Sequence, residues 1–180
     1  MQVFDWQTIT EKHGPLVWQT AYRLLRHEAD AADCFQETFV AAFEFSQKQR
    51  VRNMAGLLTR LATIRAIDKL RRRARNSPAR WEDAAPHAAV SREPGPDTSA
   101  LSKELAARLR AAISRLPETE AKVFCLRHFS DMSYREIARE LQIKTSAAGV
   151  LLHRAKARLR EILLADTEPE EMRSSHGTSR

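Results

Sequence analysis

The stretch Ser133-Tyr134-Arg135-Glu136-Ile137-Ala138-Arg139-Glu140-Leu141-Gln142-Ile143-Lys144-Thr145-Ser146-Ala147-Ala148-Gly149-Val150-Leu151-Leu152 decides the fold of the C-terminal part. Ser133 followed three residues later by Glu136 is a capping box, in which the hydroxyl takes one orphan N–H and the carboxylate reaches back to another. A short helix follows, with Ile137, Ala138 and Leu141 inward, and the small Ala138 allows a second helix to approach closely. Leu141-Gln142-Ile143 forms the turn. From about Thr145 a longer helix carries Ala148, Leu152, Ala155, Leu159 and Ile162 as its core stripe, at spacings of four and three. This is a helix-turn-helix. Its second helix turns Ser146, Ala147, Gly149, Val150 and Leu151 toward the side that enters a major groove, and His153, Arg154, Lys156, Arg158 and Arg160 form a basic run suited to phosphates.

Upstream, Leu116-Pro117-Glu118 starts another helix, with Pro117 in its first turn and Val123, Phe124 and Leu126 as its apolar face. Helical periodicity extends over residues 101–164. Before it, residues 76–99 hold Pro78, Pro86, Pro94, Gly95 and Pro96 without periodicity, which reads as a linker. Extended, it reaches on the order of 80 Å, so the flanking parts could sit well apart on a partner. The tail, 166–180, is polar.

The N-terminal part, to about residue 75, also reads as helices. One is expected over residues 15–26 with Pro15 in its first turn. A second opens at Asp30, whose carboxylate caps it; Asp33 lies near the positive end of the dipole, and Phe35, Phe39 and Phe43 recur at i, i+4 and i+8. A third spans about 55–75, with Leu57, Leu58, Leu61, Ile64, Ile67 and Leu70 in helical period. Arg65, Lys69, Arg71, Arg72, Arg73 and Arg75 crowd its end with only Asp68 opposing, as a surface for a nucleic-acid backbone requires.

Composition agrees. In 180 residues there are only five glycines, and a formal charge of +7 points to a polyanionic partner. The opening residues Met1 to Trp6 lack a basic region followed by an apolar run, so no signal peptide is expected, and no stretch approaches the ~20 apolar residues that span a bilayer. Cys34 and Cys125 each fall in an amphipathic segment, which suits buried thiols in a reducing cytoplasm. Cys125 and His128 form a C-x-x-H pair without a second pair at ligand spacing, so no metal and no cofactor are expected. There is no nucleophile–base arrangement, phosphate loop or carboxylate cluster, and the chain reads as a non-enzyme.

These residues together resemble a bacterial RNA polymerase sigma factor of the extracytoplasmic-function group of the sigma-70 family. Leu116-Pro117, Met132 to Ala138 and Leu152-His153-Arg154-Ala155 are similar to the family's fourth region; Asp30 to Phe39 and Ile67 to Arg73 are similar to its second. The resemblance implies an all-α fold of two small helical domains, 1–75 and 101–165, joined by a flexible linker at 76–100. The C-terminal one would be a four-helix, winged-helix-like helix-turn-helix domain. It implies that Asp33, Gln36 and Glu37 dock on the β′ clamp helices of core polymerase. The third helix, with Arg65, Lys69, Arg71, Arg72 and Arg73, and the loop before it, would engage the minus-10 promoter element. Lys144, Thr145, Ser146, Ala147, Val150, Leu151, His153, Arg154 and Arg158 would read or hold the minus-35 element. The β flap and an anti-sigma factor are further expected partners.

The chain departs from the family pattern at several positions. Thr63 stands where Arg is frequent and Ile64 where Asn is frequent. Gln142 replaces a turn Gly, and Lys144 replaces a capping Ser, so Thr145 or Ser146 is expected to cap instead. No Arg or Lys occupies 149–151, which removes bidentate guanine readout there and leaves thymine-methyl contacts or shape readout. Two other readings stay open: a stand-alone helix-turn-helix regulator binding operators as a dimer, and an adaptor that reads no DNA. The motif from Asp30 to Phe39 favours the sigma reading, since a simple repressor needs no polymerase-docking helix.

Overall fold

The structure, a computed structural model, describes residues 4–76 and 96–166, and for residues 96–100 the backbone alone. Helices α1 (Trp6–Leu25), α2 (Glu28–Lys48) and α3 (Met54–Asn76) form an N-terminal unit. Helices α4 (Pro96–Arg115), α5 (Glu118–Phe129), α6 (Tyr134–Glu140) and α7 (Thr145–Ala165) form a C-terminal one. Among the described residues there is no strand, hence no wing beside the helix-turn-helix.

Four starts differ from expectation. Helix α1 begins nine residues before Pro15, capped by Asp5, whose carboxylate accepts from Gln7 N and Thr8 N. Pro15 therefore lies inside it and removes one helical N–H. Trp6 and Ile9 hold the segment before it against the core, which compensates. Helix α2 begins at Glu28 rather than Asp30, because the His27 imidazole accepts from Asp30 N at 3.3 Å. Asp30 instead pairs with Arg73 at 3.5 Å. Helix α4 starts at Pro96, inside the expected linker, with proline in the first-turn position where a missing N–H costs nothing. Residues 77–95 and the tail beyond 166 lie outside the described residues. Pro117 is the N-cap of α5 rather than part of its first turn.

Three apolar clusters hold the molecule together. In the N-terminal unit, Val17, Ala42, Leu57, Leu58 and Ala62 are buried with Phe35 and Phe39 against them. The two rings lie 4.9 Å apart, while Phe43 stays exposed beside Trp6. In the C-terminal unit, Val123, Leu126, Ile137, Ala148 and Leu152 form the helix-turn-helix core. A further cluster runs through both units: Leu24, Cys34, Ile67 and Leu70 meet Ile113, Leu116, Cys125 and Leu159. Each large side chain fully buried there contributes about 2 kcal/mol relative to exposure. The two units therefore pack on each other along a seam between α3 and α4–α6, rather than standing apart.

Candidate nucleic-acid interface

The helix-turn-helix forms as the sequence predicts. Ser133 N donates to Glu136 Oε2 at 2.8 Å and Glu136 N donates to Ser133 Oγ at 3.3 Å, closing the capping box. Ser133 Oγ also donates to Glu136 Oε2 at 2.7 Å, and this bond first, then the one from Ser133 N, holds the Glu136 carboxyl below its ordinary pKa. The turn bends through Gln142 at φ 53°, a left-handed conformation that usually calls for glycine. Helix α7 starts at Thr145 with Lys144 as N-cap and no side-chain cap bond, so neither Thr145 nor Ser146 shifts the start.

The stripe Ala148, Leu152, Ala155 and Leu159 is buried, which turns the opposite side of α7 outward. Lys144, Thr145, Ser146, Val150, His153, Arg154 and Arg158 are exposed. Ala147 and Gly149 are partly exposed, and Leu151 leans on the helix-turn-helix core. A Cβ added at Gly149 would meet nothing within 4 Å, so no packing inside the protein requires a glycine there. Arg158 Nε lies 3.3 Å from Glu120 Oε2, close enough to pair although no hydrogen bond aligns on that oxygen.

On the N-terminal unit, Asp33, Gln36, Glu37 and Val40 lie exposed along one face of α2, the face expected to dock a partner helix pair. The cations of α3 are less free than their sequence suggests. Lys69 Nζ sits 2.9 Å from Glu37 and 3.8 Å from Asp33; Arg65 reaches Glu37 at 4.0 Å. The Arg71 guanidinium donates to the backbone carbonyls of Leu116 and Ser114 at the end of α4. Arg72 is exposed. Asp33 and Glu37 thus share one network of ion pairs with Arg65 and Lys69 across α2 and α3.

The seam holds residues for which the sequence pattern predicted no contact across the two units. Arg60 Nη1 meets Glu140 Oε2 at 2.6 Å, and Lys122 Nζ meets Asp68 Oδ1 at 3.0 Å. Thr63 and Ser130 share a hydroxyl hydrogen bond at 2.9 Å, Arg23 stacks 4.3 Å over the Phe129 ring, and Ile64 packs on the helix-turn-helix core. Thr63 and Ile64 are the two α3 positions where the chain departs from the family pattern, and both are used to close this seam. Beside it lies a cavity of about 520 Å³. Arg50, Arg52 and Arg60 line one wall and Asp131, Glu136 and Glu140, with Arg139, the other.

Cys34 and Cys125 are both buried free thiols. Burial pushes the Cys34 pKa up to about 11 and raises that of Cys125 as well. His128 points to solvent beside Phe124 while Cys125 faces the core, so the C-x-x-H pair does not present a joint site. Among the described residues no helix is long and apolar enough to cross a membrane.

Residues 9–76 match the family model for Sigma-70 region 2, and residues 106–159 match that for Sigma-70, region 4. The chain is 31% identical over 160 residues to the ECF RNA polymerase sigma factor SigE of Mycolicibacterium smegmatis, covering 88% of this chain and 62% of that protein. It is 26% identical over 169 residues to the ECF RNA polymerase sigma factor SigW of Bacillus subtilis, covering 86% and 87%. Among solved structures, the sigma factor RpoE bound to the anti-sigma factor NepR from Bartonella quintana shares the fold with TM-score 0.54 at 20% identity, over 91% of this chain and 99% of that one. CnrH bound to the cytosolic domain of CnrY does so with TM-score 0.57 at 22% identity, over 90% and 89%.

Proposed function

We propose, for a chain that belongs to the extracytoplasmic-function group of the sigma-70 family of RNA polymerase sigma factors, that it binds core RNA polymerase and directs initiation at particular promoters. The observation that carries this reading is the presence of two matched regions, in order, each with an outward face suited to a different partner. Asp33, Gln36 and Glu37 offer carboxylates and a carboxamide along α2, complementary to an Arg-bearing helix pair such as the β′ clamp helices. The outward side of α7 offers Ser146, Val150, His153 and Arg154 to a major groove and its phosphates.

In this reading α3 and residues 49–53 engage the minus-10 element and α7 the minus-35 element. The protein supplies positioning and no chemistry of its own, needs no cofactor and works in the cytoplasm. The β flap and an anti-sigma factor are further partners of the C-terminal unit. The deciding experiment adds the pure chain to core polymerase and scores promoter-dependent initiation on a template library. Transcripts starting from a shared promoter sequence support the reading; tight operator binding without polymerase, and no initiation with it, overturns it in favour of a stand-alone regulator.

A further inference from the structure

We propose that Arg26 and Arg110, brought together where the end of α1 meets α4, form a binding site for a small phosphate-class anion: free phosphate or pyrophosphate, or the phosphoryl end of a nucleotide. None of the polymerase or promoter contacts assigned above involves either residue.

Among the described residues, every other half-buried arginine has an acceptor. Arg60, Arg65 and Arg73 meet Glu140, Glu37 and Asp30. Arg71, Arg108 and Arg127 donate to backbone carbonyls. Arg26 and Arg110 are also half-buried, and neither guanidinium has a carboxylate or a carbonyl to donate to. These two are neighbours, close enough for each to feel the charge of the other.

Local structure sets the pair. Arg26 closes α1 in the left-handed conformation, φ 48°, with its N–H donating to Tyr22 O. That bend lays its guanidinium over the Tyr22 ring, 5.5 Å from the ring centre, and leaves its Nε buried with no hydrogen-bond partner. The surroundings are apolar: Trp18, Tyr22 and Leu109 pack against the buried Leu24, Leu25 and Ile113. Burial first, then the Arg26 charge, pull the Arg110 pKa down to about 10, so both groups stay cationic at neutral pH.

Two cations held together here repel one another and lose hydration, with no carboxylate to offset either cost. A phosphate dianion offsets both. Its oxygens accept from two planar guanidinium forks at once, an arrangement in which Arg is stronger than Lys. The Tyr22 hydroxyl, near enough to Arg110 to act on its charge, is a further donor. A half-buried joint between two helices admits a small anion more readily than a nucleic-acid backbone, which an open basic ridge suits better.

The test uses the full chain, with sodium pyrophosphate compared against sodium chloride at equal ionic strength. Pyrophosphate should raise the melting temperature above that in chloride, and calorimetric titration should show a saturable site. Arg110→Gln and Arg26→Gln should each weaken that binding about tenfold or more, with Arg110→Lys in between. In chloride, Arg110→Gln should melt no lower than wild type, because it removes a half-buried charge that has no opposite partner. If Arg110→Gln does not fold, Arg26→Gln carries the same comparison. ATP in place of pyrophosphate separates the two sources of the ligand. Tighter binding that still depends on Arg110 assigns a nucleotide, and equal binding assigns a free phosphoryl anion. No stabilisation above chloride, or equal pyrophosphate binding by wild type and both glutamine variants, overturns the proposal. So does displacement of pyrophosphate by a single-stranded DNA 20-mer, which would make the pair a backbone contact.

Discussion

Lys69 Nζ lies 2.9 Å from Glu37 Oε1, so a cation assigned to promoter DNA and a carboxylate assigned to polymerase neutralise one another across α2 and α3. The half-exposed carboxylate makes this a weak contributor to stability, well below 1 kcal/mol after screening. On the proposed assignments, engaging one partner would free the other. Gln36→Ala with Glu37→Ala is therefore expected to weaken association with core polymerase while the circular dichroism and melting temperature stay close to wild type. Unchanged assembly in a pull-down titration would remove α2 from the docking face.

The capping box gives a prediction about α6 alone. Ser133→Ala removes the acceptor for Glu136 N and the hydroxyl that bonds its carboxylate, and should cost about 1 kcal/mol in thermal or urea denaturation. The pH dependence follows from the depressed Glu136 pKa. Its contribution is present above the ordinary carboxylate pKa of about 4.3 and is lost as pH falls through the lower folded value. Acid titration of Ser133→Ala should show less of that loss than wild type.

Backbone conformation makes Gln142 a place where stability can be gained. At φ 53° a glycine avoids the side-chain clash, so Gln142→Gly should stabilise by roughly 0.5 kcal/mol and Gln142→Val should destabilise by more than 1 kcal/mol. Melting curves with the opposite order would contradict the left-handed turn.

Gly149 separates folding from recognition. With open space around it, Gly149→Ala should raise stability by about 1 kcal/mol through helix propensity. On the proposed reading, in which this side of α7 faces the groove, the same methyl would stand between helix and base edges, so affinity for minus-35 duplex should fall. A variant that gains stability with no change in DNA affinity would place Gly149 away from the duplex. Arg154→Ala, by contrast, should weaken binding evenly across sequences and lower the salt slope by roughly one unit.

The two thiols offer a check on the shared core. With the Cys34 pKa raised to about 11 and Cys125 fully buried, both stay protonated and inaccessible near pH 8. Neither should react with iodoacetamide in the native chain, and both should react once urea unfolds it. Rapid labelling of Cys125 alone would report an open seam.

What could be read from the residues was local. The capping box at Ser133, the core stripe of α7 and the α3 period each repeat a signal within a few residues, and each element formed where that signal lies. The starts of α1 and α2 were less legible because two candidate caps competed. Pro15 mimicked a first-turn proline while Asp5 capped the helix, and His27 took the capping role that Asp30 surrendered to Arg73. The seam carried no local signature at all. Asp68 and Lys122, or Arg60 and Glu140, are joined only by tertiary packing, and the one hint was the pair of apolar or small replacements at Thr63 and Ile64.

Arg71 carries a consequence for biosynthesis. Its guanidinium binds the last carbonyls of α4, the negative end of that helix, from a helix that precedes it in the chain. During translation residues 4–76 leave the ribosome first and can complete α1–α3 before α4 exists. The growing chain then meets a cation already carried on a formed helix for its next helix terminus. The N-terminal unit thus serves as an internal template, and substituting Arg71 should slow maturation of the C-terminal unit more than it lowers the final stability.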